Sequence, residues 1–154
     1  MSGNDINLAE KGSTADYDAL IALLDKSDEY FAKVANETRG ANAPQQKPFK
    51  FKPEVFNDSL VLYIKGKDGK PVACLMLTHW NWETPVVVLD NLWVEPEYRR
   101  MGYAKRLVET AMEMIHKDGR HAEIAILTGN VGASAFWYNV MPGMVKMHTY
   151  YYLP

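Results

Sequence analysis

Residues 96–106 read PEYRRMGYAKR, directly after the apolar run PVVVLDNLWV at 85–94. Two arginines, a glycine three residues after the first, and then the start of a helical pattern are suited to holding a diphosphate. The first turn of a helix exposes N–H groups with no intrahelical partner, and the helix dipole adds partial positive charge there. A phosphate fits such a place. Gly102 removes the Cβ that would hold a pyrophosphate off the backbone, and Ala104 keeps the next turn slim. Arg99 and Arg100 can add charge-assisted hydrogen bonds. In the alternative reading the arginines are solvated loop charges and Gly102 merely eases a turn. Context favours the phosphate site, because a buried strand precedes the stretch and an amphipathic helix follows it. Neither of the common phosphate motifs, Gly-x-x-x-x-Gly-Lys-Ser/Thr or Gly-x-Gly-x-x-Gly, is present.

The helix predicted at about 100–117 carries Ala104, Leu107, Val108, Ala111, Met112 and Ile115 on one stripe. His116 and Lys117 suit its negative end, and Gly119 ends it. Upstream, residues 5–10 are expected as a short edge strand, and 13–40 as two helical stretches with Ser13 or Thr14 as N-cap and Gly40 as stop. Residues 41–56 hold three prolines and read as a loop or lid. LVLYIKGKDGKPVACLMLTHW is predicted as a hairpin turning at KDGK, and PVVVLDNLWV as a strand buried on both faces. Downstream, HAEIAILTG is a further strand, GASAFWYNV a short helix, and MVKMHTYYYLP one or two closing strands. The pattern is that of a single mixed α/β domain over 1–154.

The chain has 154 residues, 47% apolar and 23% charged, which is ordinary for a globular domain able to bury its own core. A net charge of −2 argues against general nucleic-acid binding. The single Cys74 forbids an intramolecular disulfide and fits a reducing compartment; within VACLML it reads as a core residue rather than a nucleophile. The N-terminus MSGNDINLAEKG lacks the apolar core of a signal peptide, and no apolar run approaches the roughly 20 residues of a membrane span. A cytoplasmic location is the expectation. His79, His116, His121 and His148 lack metal-ligand spacing, so no metal is expected.

The stretch LDNLWVEPEYRRMGYAKRLVETAM resembles the acetyl-CoA signature of the GNAT superfamily of N-acyltransferases, Gln/Arg-x-x-Gly-x-Gly/Ala. Arg99, Gly102 and Ala104 fill its fixed positions, with Val94, Pro96 and Tyr98 as the usual lead-in. ILTGNVGASAFWYNVMPGM is similar to the family's second motif, and together the two cover about 85–154. The resemblance implies a mostly antiparallel central sheet of 6–7 strands, flanked by about four helices and splayed at the strand 85–94.

It also implies roles for individual residues. Backbone groups of Leu92, Trp93 and Val94 would pair with pantetheine amides. The pyrophosphate would rest on the amides from Arg100 through Met101, Gly102, Tyr103 and Ala104 to Lys105. Lys105 and Arg106 would reach adenosine phosphates or stay solvated, and Asn130 would bond the cofactor or serve as a turn and helix-entry residue. The family's proton-donating tyrosine falls at Trp137 when counted from Asn130, and at Asn139 when counted back from Gly143, with Tyr138 between. One helical residue turns a side chain by about 100°, so Tyr138 and Trp137 cannot both face a thiol. Tyr138 is the expected proton donor. Trp137 would otherwise pack on pantetheine or in the core.

Asp90 is the expected base, four residues before Val94, where polyamine-acetylating relatives carry a glutamate. A carboxylate on an apolar strand is costly unless paired or solvated, so the alternative is a structural hydrogen bond. Glu83 is a second candidate, and with Trp80 and Trp82 it would line the acceptor site.

The resulting expectation is an acetyl-CoA-dependent N-acetyltransferase acting on a primary amine of a small molecule or protein, with a homodimer by analogy to relatives. A second reading is a degenerate acyl-CoA-binding regulatory module. A third is an acetyltransferase acting on tRNA, suggested only by the interleaved lysines and phenylalanines of KPFKFK at 47–52.

Overall fold

Side-chain alternation along two central strands decides which helices cover which face of the sheet. The computed structural model describes residues 5–13, 15–39, 44–126 and 130–145. In chain order these form β1 (Ile6–Ala9), α1 (Tyr17–Arg39), α2 (Val55–Asp58), β2 (Leu60–Lys65), β3 (Pro71–Thr78), β4 (Val86–Val94), a 3-10 turn (Pro96–Tyr98), α3 (Tyr103–Lys117), β5 (His121–Glu123) and α4 (Val131–Val140). The strands lie in the order β1-β2-β3-β4-β5, antiparallel except for the parallel pair β4 and β5.

On β2 and β3 the residues Leu60, Leu62, Ile64, Ala73, Leu75 and Leu77 point to one face, where Leu107, Val108, Ala111 and Ile115 of α3 bury against them. Val61, Tyr63, Cys74 and Met76 point to the other face, against Leu20, Leu23 and Leu24 of α1 and Phe56 of α2. Both faces of a two-residue repeat are thus apolar, which requires a helix on each. Each fully buried leucine contributes roughly 1.5–3 kcal/mol.

The mixed sheet and the helices on its two faces are those expected. Five strands form among the described residues rather than 6–7; the closing strands expected over 144–154 fall mostly on 146–154, outside them. α1 is one helix of 23 residues rather than two stretches. Nothing between Tyr17 and Arg39 is Gly or Pro, and its buried stripe continues from Leu24 through Ser27 to Ala32 and Ala35. Its N-cap is Asp16, whose Oδ1 accepts from the Ala19 N–H at 3.1 Å, rather than Ser13; Thr14 and Gly40 lie outside the described residues. The 120s strand is also shorter than expected, ending at Glu123.

Candidate active site

β4 organises the site. It pairs with β3 along its length, but β5 reaches it only at Val86–Val88. Beyond Val88, its β5-side edge has no strand partner among the described residues, which is the expected splay. The pairing Met76↔Asp90 gives way to Cys74↔Trp93, so Asn91 and Leu92 together oppose Leu75. This is a β-bulge, and Asn91 takes the left-handed φ of 54° that asparagine tolerates better than most residues. The extra residue inverts the alternation. Trp93 therefore joins Asp90 on the α1 face, while Leu92 and Val94 turn toward α3.

The chain leaves β4 through the 3-10 turn and a loop in which Arg100 and Gly102 have φ of 64° and 80°. Gly102 is the N-cap of α3, and a Cβ built on it would meet nothing within 4 Å. The space in front of it is open. The first helical hydrogen bond runs from the Arg106 N–H to the Gly102 carbonyl at 3.0 Å. The N–H groups of Met101, Gly102, Tyr103, Ala104 and Lys105 have no acceptor among the described residues. An open notch floored by unpaired amides fits a diphosphate.

The basic residues around this notch divide. Arg99 folds back, its Nε donating to the Val94 carbonyl at 2.8 Å and its guanidinium carbon 4.9 Å from the Trp93 ring centre. Arg106 pairs with Asp5 and lies over Tyr103, away from either role weighed for it. Lys105 is exposed, 3.8 Å from Glu109. Arg100 makes no ion pair among the described residues.

On the α1 face, Asp90 Oδ2 accepts from Thr78 Oγ1 at 2.9 Å. Burial pushes the Asp90 carboxyl above its ordinary value, with Asp28 adding to the rise, while the Thr78 bond and His79 pull it back. Tyr30 of α1 faces Trp93 with ring centres 6.1 Å apart, and the indole N–H of Trp93 is buried without a partner among the described residues. Residues 49–51 are clipped to α1, the Phe49 N–H donating to Asp28 and the Phe51 N–H to Asp25. Lys50 pairs with Glu29. Cys74 is fully buried and its thiol pushed up to about 12, so it is no nucleophile.

A profile of the acetyltransferase (GNAT) family matches residues 22–139. The chain belongs to that family. As a GNAT protein it is an acyltransferase enzyme of a family that uses acetyl-CoA. Solved structures share the fold across nearly the whole chain. A Bacillus halodurans protein, solved as a variant, has a TM-score of 0.69 at 20% identity, covering 97% of this chain and 98% of that one. An aminoglycoside acetyltransferase from an uncultured soil metagenomic sample, in complex with trehalose, scores 0.61 at 16% identity, covering 98% and 97%. AAC(6')-Iy in complex with a bisubstrate analogue, CoA-S-monomethyl-acetylneamine, scores 0.62 at 15% identity, covering 97% of each chain. The curated protein sequences contain no match.

The other expected residues of this GNAT enzyme are distributed as follows. Asn130 caps α4, its Oδ1 accepting from the Ala133 N–H at 3.2 Å. Trp137 is 8% exposed and packs in the core under α4, whereas Tyr138 is 52% exposed. Trp80 packs toward α3, Trp82 stacks on His79 with ring centres 3.9 Å apart, and Glu83 is exposed. No three His, Cys, Asp or Glu side chains gather as metal ligands among the described residues, and no described helix is long and apolar enough to cross a membrane.

Three contributors escaped the sequence reading. Thr78 and Arg120 carry no motif. The Arg120 side chain, 10% exposed, donates to the carbonyls of His79, Trp80 and Thr84 and so holds the 79–84 loop. Asn91 had a signal: an asparagine inside an apolar strand is a bulge candidate.

Proposed function

We propose that this enzyme moves the acetyl group of acetyl-CoA to a primary amine by direct attack within a ternary complex. The observation that carries the reading is the order of features along one strand and its exit: Asp90, the bulge at Asn91–Leu92, the edge to Val94 that has no strand partner among the described residues, then the amide notch at Met101–Lys105. The notch and Arg100 hold the pyrophosphate, and the free edge at Leu92–Val94 takes the pantetheine amides. Acetyl-CoA supplies the activated acetyl thioester.

The residues of the chain do the rest. An amine attacks only when neutral, and Asp90 accepts its proton on the α1 face. A carboxyl raised by desolvation is a stronger base than an exposed one, which supports this role. A backbone N–H at the bulged end of β4 donates to the carbonyl oxygen as charge builds there. Tyr138, half-exposed on α4, is the candidate donor to the departing thiolate. Tyr30, half-exposed on α1, offers an aromatic face to a cationic acceptor, and Trp82 and Glu83 lie in the 79–84 loop at the other end of β4 from Trp93.

One fold neighbour is an aminoglycoside acetyltransferase and another was solved with the bisubstrate analogue CoA-S-monomethyl-acetylneamine, so a small-molecule amine is the first acceptor class to assay. A protein or tRNA amine is the next. Release of free thiol from acetyl-CoA against a panel of amines tests the reading: turnover that depends on a primary amine is expected. The burial of Trp137 at the counted acid position favours a second reading, an acyl-CoA-binding regulatory module. Tight CoA binding with no turnover on any amine would establish that one instead.

A further inference from the structure

The last residue of β3 sits on the α1 face beside the carboxylate of β4. In the register of the two strands Met76 lies opposite Asp90 and Thr78 opposite Val88, so Thr78 and Asp90 are diagonal neighbours on one side of the sheet. Thr78 Oγ1 donates to Asp90 Oδ2 at 2.9 Å. Asp90 Oδ1 makes no hydrogen bond among the described residues, and it is not sealed from solvent as the Trp93 indole nitrogen is. One oxygen is tied to the scaffold and the other is left without a protein partner among the described residues.

We infer that Thr78 is a positioning residue for the transfer: its hydroxyl fixes Asp90 Oδ2 so that Oδ1 faces the incoming amine. The inference rests on Asp90 as the base. Thr78 itself touches neither substrate. Its hydroxyl can donate only one proton, and it donates to the ionised carboxylate, which favours the form able to accept a proton. The charged groups around Asp90 oppose one another: His79, at the end of β3, also favours ionisation, while Asp28 from α1 disfavours it. Thr78 thus offsets part of the burial that makes Asp90 basic.

Replacing the hydroxyl by a methyl in Thr78→Val keeps the volume and removes the bond. The acid limb of the kcat/KM profile is expected to move upward by about one pH unit. Thr78→Ser is expected to return it. A merely structural role would lower the rate at every pH and leave the limb in place. A carboxyl-carbon NMR titration of Asp90 in the wild-type enzyme and Thr78→Val should show the same upward move. An unmoved Asp90 titration overturns the inference, whatever the kinetics do. Asp90→Asn, assayed in parallel, separates this failure from failure of the base. If that variant keeps full rate and an unchanged profile while the Asp90 titration still responds to Thr78, Asp90 is not the base, the positioning role falls with it, and only the hydrogen bond remains.

Discussion

Arg99 is bound to the strand that precedes it: its guanidinium lies over Trp93, 4.9 Å from the ring centre, and its Nε donates to the Val94 carbonyl. The signature arginine therefore braces the exit of β4, and in the proposed reading Arg100 is the one that meets the phosphates. Arg99→Ala should free the loop and raise the Kd for CoA about tenfold, the equivalent of one charged hydrogen bond. Arg99→Lys should fail to rescue, because an ammonium reproduces neither the fork nor the stacking. Arg100→Ala should weaken binding in a way that fades as salt is raised. Calorimetry with CoA at two ionic strengths checks all three, and equal salt dependence for both positions would refute the division of labour.

Gly102 faces open space at φ 80°. Alanine there costs about 1–2 kcal/mol for the left-handed conformation alone, with no clash against the protein. Gly102→Ala should therefore lower Tm by only a few degrees. The added methyl projects into the notch, so the heat of CoA binding should be lost almost completely. A variant that is less stable but binds CoA normally would place the diphosphate elsewhere.

Burial of the Asp90 carboxyl costs stability. Its folded carboxyl sits above the ordinary 3.8, so from that pH upward the folded protein binds more protons than the unfolded chain. Stability is then lost as pH rises through the folded value. Asparagine has no such proton to lose. Asp90→Asn should be more stable than the wild-type protein at neutral pH, with the gap in Tm closing toward pH 3.8. Its kcat/KM should fall about 100- to 10,000-fold. Melting curves across pH check the first half; a gap of constant size would show that burial of Asp90 is not what separates the two proteins.

Arg120 holds three carbonyls of the 79–84 loop with one planar group. Arg120→Ala should cost about 2 kcal/mol, roughly 4–8 °C in Tm. Arg120→Lys should recover little of it, since lysine cannot fork. Trp80, whose ring centre is 5.4 Å from the guanidinium carbon, and Trp82 should report the release as a change in fluorescence. An unchanged spectrum with a lowered Tm would mean that the loop keeps its shape without the clamp.

Much of this site could be read before any coordinates. The amides at Met101–Lys105 are free because a helix begins there, and a helix beginning after an apolar strand is written in periodicity, in Gly102 and in the stripe from Ala104 to Ile115. Local rules of this kind depend on neighbours in the chain, so the sequence alone determined the fold class, the run of amides without acceptors at Met101–Lys105 and the family. The edge strand at Ile6–Ala9 and the hairpin of β2 and β3 were legible for the same reason.

What lies across the chain was not legible. Whether Trp137 or Tyr138 enters the core depends on how α4 rolls against that core, and a rotation of about 100° per residue makes neighbouring counts opposite in outcome. The pairing of Thr78 with Asp90 exists because β3 and β4 keep their register up to the bulge, and Trp93 joins them only because Asn91 inverts the alternation after it. Arg99 and Arg106 look alike in sequence, yet one is captured by a strand carbonyl and the other by Asp5, 101 residues away. Contacts between distant segments have no periodic trace, and only the packed tertiary structure decided them.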